Sequence, residues 1–172
     1  RLVDLSEGKL NLITGPDELP LGGMRLLISA GPTREHFDPV RVLTNPSTGK
    51  MGYAVARVAA RLGADVVLVS GPTQIAGPTG VEIVRVVNAE EMRCAMVAHA
   101  SAADVIVMAA AVSDFRPVTP VSTKLKKAVG DVMSWDVERT PDILEELRQL
   151  RGSRTLVGFA AETSDLEAQA RE

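Results

Sequence analysis

The sequence predicts an α/β fold, a doubly wound, Rossmann-like and mostly parallel sheet. Apolar segments of strand length alternate with helical segments along most of the 172 residues. The core must use small and aliphatic side chains, because hydrophobic residues make up 45% of the chain and aromatic residues only 3%. Alanine favours helices, whereas valine and isoleucine favour strands, so the composition agrees with the alternation. Ligands of such folds bind at the carboxyl ends of the strands.

The first elements form a βαβ unit. Residues 24–30 are a near-continuous apolar run, typical of a central parallel strand that is covered on both faces. An alanine-rich helix is predicted from Met51 to Leu62, and Gly63 ends it in the manner of a C-terminal cap. A second buried strand follows over 64–70. Strand, loop, helix and strand in this order make one βαβ unit.

The same alternation continues through the middle of the chain. A third strand is predicted over 81–87 and a fourth over 103–112. Between them, Asn88 and Glu91 have the spacing of a capping box that opens a helix ending near Ala100. These elements extend the parallel sheet.

The pattern changes after the fourth strand. Residues 123–128 and 133–138 flank a Val-Gly-Asp turn with partial alternation, which predicts a two-stranded arm projecting from the sheet. Thr140 is then expected to cap a helix with Pro141 at its first position. A further strand is predicted over 155–160.

The two ends of the chain differ from its middle. Residues 1–23 show no clear period and contain Gly-Pro and Gly-Gly pairs, so we predict a linker or the tail of an upstream domain there. A helix predicted from Ser164 is cut off at Glu172. We therefore expect residues 24–172 to be one domain that is incomplete at its carboxyl end.

The composition excludes several classes of function. A net charge of −3 gives no general attraction to nucleic acid or to acidic membranes. There is no signal peptide and no apolar run of 18 residues, the length needed to span a bilayer. The single cysteine, Cys94, is expected to be a packed thiol and cannot form an internal disulfide. A cytoplasmic location is the interpretation that fits these features.

The segment Asn45-Pro-Ser-Thr-Gly-Lys-Met-Gly52 predicts an anion site. It directly precedes the first helix, where unpaired backbone N–H groups and the helix dipole favour phosphate or carboxylate. Asn45 and Lys50 add side-chain donors. The alternative is an ordinary helix start that Ser47 or Thr48 caps.

Two common nucleotide sites do not fit this sequence. A dinucleotide fold needs Gly-x-Gly-x-x-Gly after the first strand, where the chain has Gly-Pro-Thr-Arg, and an acid after the second, where Ser70 and Gly71 stand. A P-loop needs a hydroxyl residue after its lysine, whereas Lys50 is followed by Met51. A nucleotide or phosphate site of another design remains.

The carboxyl end of the fourth strand carries further candidates. The alanines of 109–111 would let a flat base or a phosphate approach the backbone, although they also suit simple close packing. Asp114 could hold a metal ion or a ribose hydroxyl, or could be a turn or cap aspartate. Lysines on the predicted arm are usually a solvated edge, but beside an anion site they could screen a polyphosphate. They are Lys124, Lys126 and Lys127.

Several blocks of this sequence together resemble the phosphopantothenoylcysteine synthetase family, the carboxy-terminal half of a bifunctional bacterial coenzyme A enzyme. The resemblance runs in order from Met24 to the last residue, and Arg1-Leu-Val-Asp4 resembles the end of an upstream flavin-dependent decarboxylase. Pro46, which lacks an N–H, departs from the family's usual loop. The blocks are Ser29-Ala-Gly-Pro-Thr-Arg-Glu35, Asp38-Pro-Val-Arg41, 45–52, Ala109-Ala-Ala-Val-Ser-Asp-Phe-Arg116, Lys124-Leu-Lys-Lys127, Thr140-Pro-Asp-Ile-Leu144 and Val157-Gly-Phe-Ala-Ala-Glu-Thr163.

The resemblance implies a two-step ligation and a set of partners. The carboxylate of 4′-phosphopantothenate would attack the α-phosphate of CTP, and the amine of L-cysteine would then displace CMP from the acyl-cytidylate. CTP is a substrate, Mg²⁺ is the implied cation, and FMN is expected only in the upstream domain. The family's arm comes from the neighbouring subunit, so a homodimer is implied, with a higher oligomer available through the upstream domain.

The resemblance also implies roles for individual residues. Asn45 would hold the acyl-cytidylate carbonyl and serve the second step, and Lys124 would neutralise charge in nucleotidyl transfer. The remaining assignments are nucleotide binding by Met108, Ala109, Ala110, Asp114, Lys124, Pro141, Asp142, Ile143, Leu144 and Phe159, metal binding by Asp114, and phosphate or substrate binding by Arg41, Ser47, Gly49, Lys50 and Ala111.

Two rival functions are kept beside the ligase. One is a non-catalytic nucleotide-binding module that oligomerises or regulates a flavoprotein, which the incomplete carboxyl end favours. The other is a Rossmann oxidoreductase, which the missing glycine pattern disfavours. Asn45 and Lys124 favour the enzyme.

Overall fold

A five-stranded parallel sheet is the centre of the fold in the computed structural model, which describes residues 2–4, 11–13, 19–126, 134–150 and 152–159. In spatial order its strands are Thr155–Gly158, Val105–Met108, Arg25–Ala30, Asp65–Ser70 and Val81–Arg85, and every neighbouring pair is parallel. The predicted doubly wound, mostly parallel fold is confirmed. In chain order the elements are β1 (Leu2–Asp4), β2 (Asn11–Ile13), β3 (Arg25–Ala30), β4 (Arg34–His36), β5 (Val42–Thr44), α1 (Lys50–Arg61), β6 (Asp65–Ser70), β7 (Val81–Arg85), α2 (Ala89–Ala100), β8 (Val105–Met108), β9 (Phe115–Pro117), β10 (Val137–Arg139), α3 (Ile143–Gln149) and β11 (Thr155–Gly158).

The central strand β3 separates two apolar cores. Because side chains alternate along a strand, Ile28 faces one side of the sheet and Leu27 the other. Ile28 belongs to the core under α1, and Leu27 to the core under α2 and α3. The first core depends on small residues of α1: a Cβ atom at Gly52 would lie 2.6 Å from the Cβ of Ala30. The helix start therefore lies directly against the end of β3.

Most predicted elements agree with the structure to within a few residues. Asn88 caps α2 as predicted, because its side chain accepts the N–H of Glu91 at 2.8 Å. The Glu91 carboxylate accepts the N–H of Val87 at 2.7 Å, one residue before the cap, so the reciprocal bond of a capping box is displaced. The fourth strand is shorter than predicted and ends at Met108. Its predicted continuation, 109–112, is not a strand: the N–H groups of Ala109 and Ala110 bond to the Ser29 side chain of β3, and Ala111 keeps one isolated parallel bridge to Pro32.

Two short antiparallel pairs stand beside the sheet. Strands β4 and β5 form a hairpin that the sequence did not predict. Strand β10 pairs with β9, so the partner of 137–139 is 115–117 and the predicted pairing of 123–128 with 133–138 is wrong in its strand bounds. Residues 123–126 form no strand. The turn of the predicted arm, including Lys127, lies outside the described residues.

Other predictions concern the ends and the surface. Strands β1 and β2 pair antiparallel within 1–23, where no regular element was predicted. The predicted helix from Ser164 lies outside the described residues. Cys94 is exposed, so the expectation of a packed thiol is wrong. In the described part of the chain, no helix has the length and apolar character needed to cross a membrane.

Candidate functional site

The carboxyl ends of three neighbouring strands meet at one edge of the sheet. The N–H of Ala111, beyond β8, donates to the carbonyl of Gly31, beyond β3, at 2.9 Å. The N–H of Gly71, beyond β6, donates to the carbonyl of Ala30 at 2.9 Å. The structure thus brings the carboxyl ends of the predicted strands together. In a doubly wound sheet this edge is where ligands bind.

An open cleft of about 450 Å³ lies at this edge. Arg34 and Lys50 lie on its wall, and the described residues that line it include no Asp or Glu. The wall is therefore suited to an anion. Its lining residues are Pro32, Arg34, Thr44, Asn45, Pro46, Ser47, Thr48, Lys50, Pro72, Thr73, Gln74 and Ile75.

Helix α1 begins at this cleft without a side-chain cap. Its N-cap residue is Gly49, with φ of 77°, and no side chain bonds the first-turn N–H groups as a cap. The predicted alternative, a cap by Ser47 or Thr48, is not the N-cap that the structure shows: the Ser47 Oγ accepts the Gly49 N–H at 3.3 Å and the Thr48 Oγ1 accepts the Lys50 N–H at 3.5 Å, whereas an N-cap side chain bonds the second or third N–H of its helix. No acidic residue lies in the first turn. Apart from the Lys50 N–H, which Thr48 accepts, the first-turn N–H groups and the dipole of α1 thus face a bound anion without a side-chain cap.

Close packing fixes the position of this helix start. A Cβ atom at Gly49 would lie 3.2 Å from the Cα of Gly31 and 2.8 Å from the Cγ2 of Thr73. Glycine at position 49 therefore meets two requirements, a left-handed φ and contact with the end of β3. The loop 45–49 consequently rests on the carboxyl end of the sheet.

Asn45 joins the loop 45–49, which we call the anion loop, to the exit of β8. Its Nδ2 donates to the carbonyl of Val112 at 2.9 Å, and its side chain is half-buried. Thr33 supports both partners, because its carbonyl accepts the hydroxyl of Thr44 at 2.6 Å and its Oγ1 accepts the N–H of Ser113 at 2.9 Å. Sequence reasoning gave Thr33 no role, although it is buried and polar.

A chain of hydroxyl groups supports the part of the cleft wall that follows β6, residues 72–75. The Thr73 hydroxyl donates to the Tyr53 oxygen at 3.1 Å, Tyr53 and Ser70 share a hydrogen bond of 2.9 Å, and the Ser70 hydroxyl donates to the carbonyl of Gly71 at 2.8 Å. Tyr53 is 1% exposed, so this chain lies inside the protein. It ties α1 to the loop that follows β6.

The backbone N–H groups at the exit of β8 point towards β3. The Oγ of Ser29, a fully buried residue of β3, accepts the N–H groups of Ala109 and Ala110, both at 3.1 Å. Its own hydroxyl donates to the Sδ of Met108 at 3.6 Å. A nucleotide on Met108–Ala110, as the resemblance implies, would therefore meet carbonyl groups and not these N–H groups.

Asp114 lies beside the start of α3. The carbonyl of Asp114 accepts the Thr140 N–H at 2.9 Å, and the Thr140 hydroxyl donates to the Ser113 carbonyl at 2.6 Å. Because Thr140 is used in this way, the prediction that it caps α3 is wrong. Asp142 is the cap, with its Oδ1 accepting the Glu145 N–H at 2.9 Å. The side chain of Asp114 itself is exposed.

An apolar shelf lies next to Asp142, formed by Leu144 and Phe159. Their exposed fractions are 40% and 54%, high for large apolar side chains. Gly158 permits the contact between α3 and β11, since a Cβ atom there would lie 3.1 Å from the Cδ2 of Leu144. Ile143 is buried in the core and holds the start of α3 in place. The shelf offers a surface on which a base can stack.

Lys124 lies next to a separate cluster of Asp38, Arg41 and Leu125, which we call the Asp38 platform. The buried carboxylate of Asp38, in the turn of hairpin β4–β5, accepts the N–H of Leu125 at 3.0 Å, and the carbonyl of Leu125 accepts from Arg41 at 3.1 Å. Asn45 follows the opposite end of that hairpin, about 10 Å away for three strand residues. The structure therefore anchors the segments of Lys124 and Asn45 at opposite ends of this hairpin, and the Lys124 side chain is exposed.

Arg41 has its own partner on the platform. Its NH1 donates to the Oδ2 of Asp38 at 2.6 Å. Burial would raise the pKa of Asp38, but the N–H groups of Leu125, Val40 and Arg41 and the Arg41 charge outweigh it and lower the pKa from 3.8 to about 2. Asp38 is thus ionised and orders the turn. Arg41 does not line the cleft, whereas Ser47 and Lys50 do.

Comparison with known proteins shows a family match over most of the chain. Residues 21–172 match the family described as DNA/pantothenate metabolism flavoprotein C-terminal domain. The coenzyme A biosynthesis bifunctional protein CoaBC of Bacillus subtilis strain 168 is 49% identical over 154 residues, 89% of this chain and 38% of that protein. The CoaBC protein of Vibrio parahaemolyticus is 51% identical over 153 residues, 88% of this chain and 38% of that protein. The chain thus spans under two-fifths of these relatives.

Solved structures share the fold. The crystal structure of the C-terminal domain of a CoaBC protein has a TM-score of 0.76 at 46% identity, covering 88% of this chain and 71% of that one. A mutant of Cab2 in complex with phosphopantothenate-cysteine has a TM-score of 0.70 at 16% identity, covering 86% of this chain and 68% of that one. At that identity the second likeness concerns the fold alone.

Proposed function

The chain belongs to the DNA/pantothenate metabolism flavoprotein C-terminal domain family, and from this premise we propose that it ligates 4′-phosphopantothenate to L-cysteine at the expense of CTP. The observation that carries the proposal is the Asn45 bond to the Val112 carbonyl. It joins an uncapped helix start, which suits an anion, to the strand exit that leads to an apolar shelf. We call the cleft together with the adjoining exit of β8 the crevice, and propose that it holds both halves of a nucleotidyl-transfer site.

The anion half would hold the phosphopantothenate carboxylate and the reacting phosphate. The N–H groups at the start of α1, together with the Ser47 and Lys50 side chains, are the donors on this side. Gly49 allows the helix start to lie against the end of β3, and Ala111 bonds to the end of that strand. These groups are fixed before substrate arrives, which is the requirement for electrostatic stabilisation of developing charge.

The nucleotide half would lie between the β8 exit and the start of α3. Ala109 and Ala110 offer backbone carbonyls beyond Met108, which is paired with β11, and Phe159 offers a face for the base. The segment from Pro141 to Leu144 would bound the nucleotide from the other side, with Asp142 fixed as the α3 cap. Aromatic and apolar surfaces with a few placed polar groups are typical of such sites.

Magnesium fits this site as an ion carried by the nucleotide. Among the described residues no group of three or more His, Cys, Asp or Glu side chains could hold a metal ion. Asp114 is a single exposed carboxylate at the crevice, and Mg²⁺ is usually held by one or two carboxylates plus substrate phosphates and water. When bound, it would neutralise phosphate charge. We assign Asp114 as its protein ligand.

The reaction has two balanced steps. A carboxylate oxygen of phosphopantothenate bonds to the α-phosphorus of CTP, and the bond to the bridging oxygen breaks to release pyrophosphate. The cysteine amine then bonds to the acyl carbon, CMP leaves with the electron pair of the broken C–O bond, and the amine loses a proton to solvent. The Asn45 amide would hold the acyl oxygen during the second step. Positioned donors, and no protein nucleophile, supply the catalysis.

Lys124 would act in the crevice of a second copy of the chain. The Asp38 platform holds the segment of Lys124 at the turn of hairpin β4–β5, whereas Asn45 follows the opposite end of that hairpin. A homodimer would remove this separation by placing the arm of one subunit over the crevice of the other. Arg41, anchored to Asp38 by its NH1, would face substrate at the same junction. We propose the homodimer as the catalytic unit.

Two broader proposals concern context. We propose that the protein acts in the cytoplasm, where its exposed Cys94 would stay reduced. We also propose that 1–23 is the tail of an upstream decarboxylase domain and that FMN belongs to that domain. The ligase domain would then be 24–172.

A nucleotide assay on the full chain tests the main proposal. Pyrophosphate release is measured with each of the four nucleoside triphosphates and phosphopantothenate, with and without cysteine, and the amide product is identified by mass spectrometry. We expect pyrophosphate with CTP, and amide only when cysteine is present. Nucleotide binding without pyrophosphate release would contradict the ligase and support a non-catalytic nucleotide-binding module.

A further inference from the structure

The backbone that leaves β8 has an unusual directional arrangement. Three successive N–H groups, those of Ala109, Ala110 and Ala111, all point towards the β3 side, because the first two donate to Ser29 and the third to Gly31. In an extended strand successive N–H groups alternate between the two neighbouring strands. Ser29 breaks this alternation by accepting two neighbouring donors with one oxygen.

The carbonyl groups of the same peptide units must point the other way. A trans peptide unit is planar, with its N–H and C=O on opposite sides of the chain. There are no cis peptide bonds among the described residues. The carbonyls of Met108, Ala109 and Ala110 are therefore directed away from β3. Met108 is paired with Gly158 of β11, so the acceptors that face a ligand there are the carbonyls of Ala109 and Ala110. The next strand on that side is β11, which Phe159 follows.

We infer that Ser29 is a specificity-determining residue, which makes the base-facing edge of the β8 exit an edge of acceptors. This inference rests on the proposed function. An acceptor edge matches an exocyclic amino group, as on cytosine and adenine. It opposes the keto oxygen that uracil and guanine carry at the corresponding position, because two acceptors would face each other without a proton.

The burial of Ser29 makes this arrangement rigid. Its exposed fraction is 0%, so no water competes for its oxygen, and its own proton is donated to Met108 Sδ. Ser29 acts from behind the backbone and does not touch the base. It is therefore a positioning residue, and its signature is a change in base preference and not a general loss of activity.

The chain contains a matched control. Ser70 is also a buried serine at the carboxyl end of a central strand, 1% exposed, and its hydroxyl donates to the carbonyl of Gly71. It has no described hydrogen bond to 108–111. Ser70→Ala therefore removes an equally buried hydroxyl at the same edge of the sheet and leaves the β8 exit unchanged.

The experiment measures kcat/KM for pyrophosphate release with CTP, ATP, UTP and GTP in the unaltered chain, in Ser29→Ala and in Ser70→Ala. We expect the unaltered chain to prefer amino-bearing bases, and the CTP-to-UTP ratio to fall about tenfold in Ser29→Ala, since a mismatched buried polar group rejects a substrate strongly. Ser70→Ala should keep the ratio. Ser29→Thr, which retains the hydroxyl, should restore it.

The outcomes separate this inference from the proposed function. The inference is overturned if Ser29→Ala keeps the ratio, if Ser29→Ala and Ser70→Ala lower it equally, or if the unaltered chain uses UTP as well as CTP. If no pyrophosphate is released with any nucleotide, the proposed function fails. The protection that CTP and UTP give against thermal unfolding then still reports the base preference, and equal protection overturns the inference.

Discussion

The carboxylate of Asp38 accepts the N–H of Leu125 at 3.0 Å, although 87 positions separate the two residues in the sequence. This bond attaches the segment that carries Lys124 to the turn of hairpin β4–β5. The Arg41 guanidinium bonds to both partners. One buried carboxylate thus decides where the proposed charge-neutralising lysine leaves the body of the protein.

The ionised state of Asp38 predicts an acid-dependent loss of stability. Its pKa falls from 3.8 to about 2 on folding, so its contribution is full above pH 3.8 and is lost as the pH falls towards 2. In Asp38→Asn we expect a lower Tm at pH 7 and a smaller further decrease between pH 4 and pH 2. Thermal unfolding followed by circular dichroism measures both. Parallel curves for the two proteins across this range would contradict the role of Asp38.

Asn45 is predicted to separate the two chemical steps. Replacing it with Asp keeps its size but removes the Nδ2 donor that bonds to Val112. We expect pyrophosphate release from CTP and phosphopantothenate to continue, while amide formation falls by about 10²–10³, the usual effect of losing one positioned donor. Single-turnover assays with and without cysteine measure the steps separately. Ligation at the normal rate in this variant would refute the assignment.

Lys124 is predicted to serve the crevice of the partner subunit. Lys124→Gln and Asn45→Ala should each abolish turnover. An equimolar mixture should regain about a quarter of full activity, because half of the dimers are mixed and each mixed dimer has one intact site. Activity is measured after the two variants exchange subunits. A mixture that stays inactive, although subunit exchange is shown by labelled chains, would place Lys124 in its own chain's site.

Gly52 is predicted to tolerate no side chain. In Gly52→Ala the new Cβ would lie 2.6 Å from the Ala30 Cβ and 2.8 Å from the Ser29 carbonyl oxygen. We expect a loss of about 1–3 kcal/mol in the free energy of unfolding, the usual cost of overpacking, and weaker phosphate binding as the α1 start moves away from β3. Urea unfolding and phosphopantothenate titration measure these effects. Ala54→Ser, on an exposed position of α1, is the control and should change neither.

The parts of the fold that are periodic could be predicted from the sequence. The parallel strands are runs of Val, Leu and Ile, and α1 and α2 are bounded by Gly63 and Asn88, so pattern and end signals agree. The hairpin β4–β5 could not be predicted in this way. Its strands have three residues each, too few to show a period. Its turn is held by Asp38, which bonds to Val40 and Arg41 nearby and also to Leu125, a partner distant in sequence.

The candidate site, like the fold, could be predicted only in part from the sequence. Asn45 and Lys50 stand in a recognisable loop, and the structure places both at the cleft. Ser29 was missed because its role lies in bonds to Ala109 and Ala110 on another strand. A polar residue inside an apolar strand is the one local sign of such a role. Thr140 was misassigned as a cap, because the pattern could not reveal its bond to the Ser113 carbonyl.

The strand order has a consequence for how the chain folds during its synthesis on the ribosome. The chain first builds β3, α1, β6 and β7 on one side of the sheet, and only later adds β8 and β11 on the other. During translation the anion loop can therefore fold on its own strands before the proposed base-binding segments have left the ribosome. The crevice is the seam between an early and a late half of the domain. A nascent chain acquires its proposed activity only when the late half docks against β3.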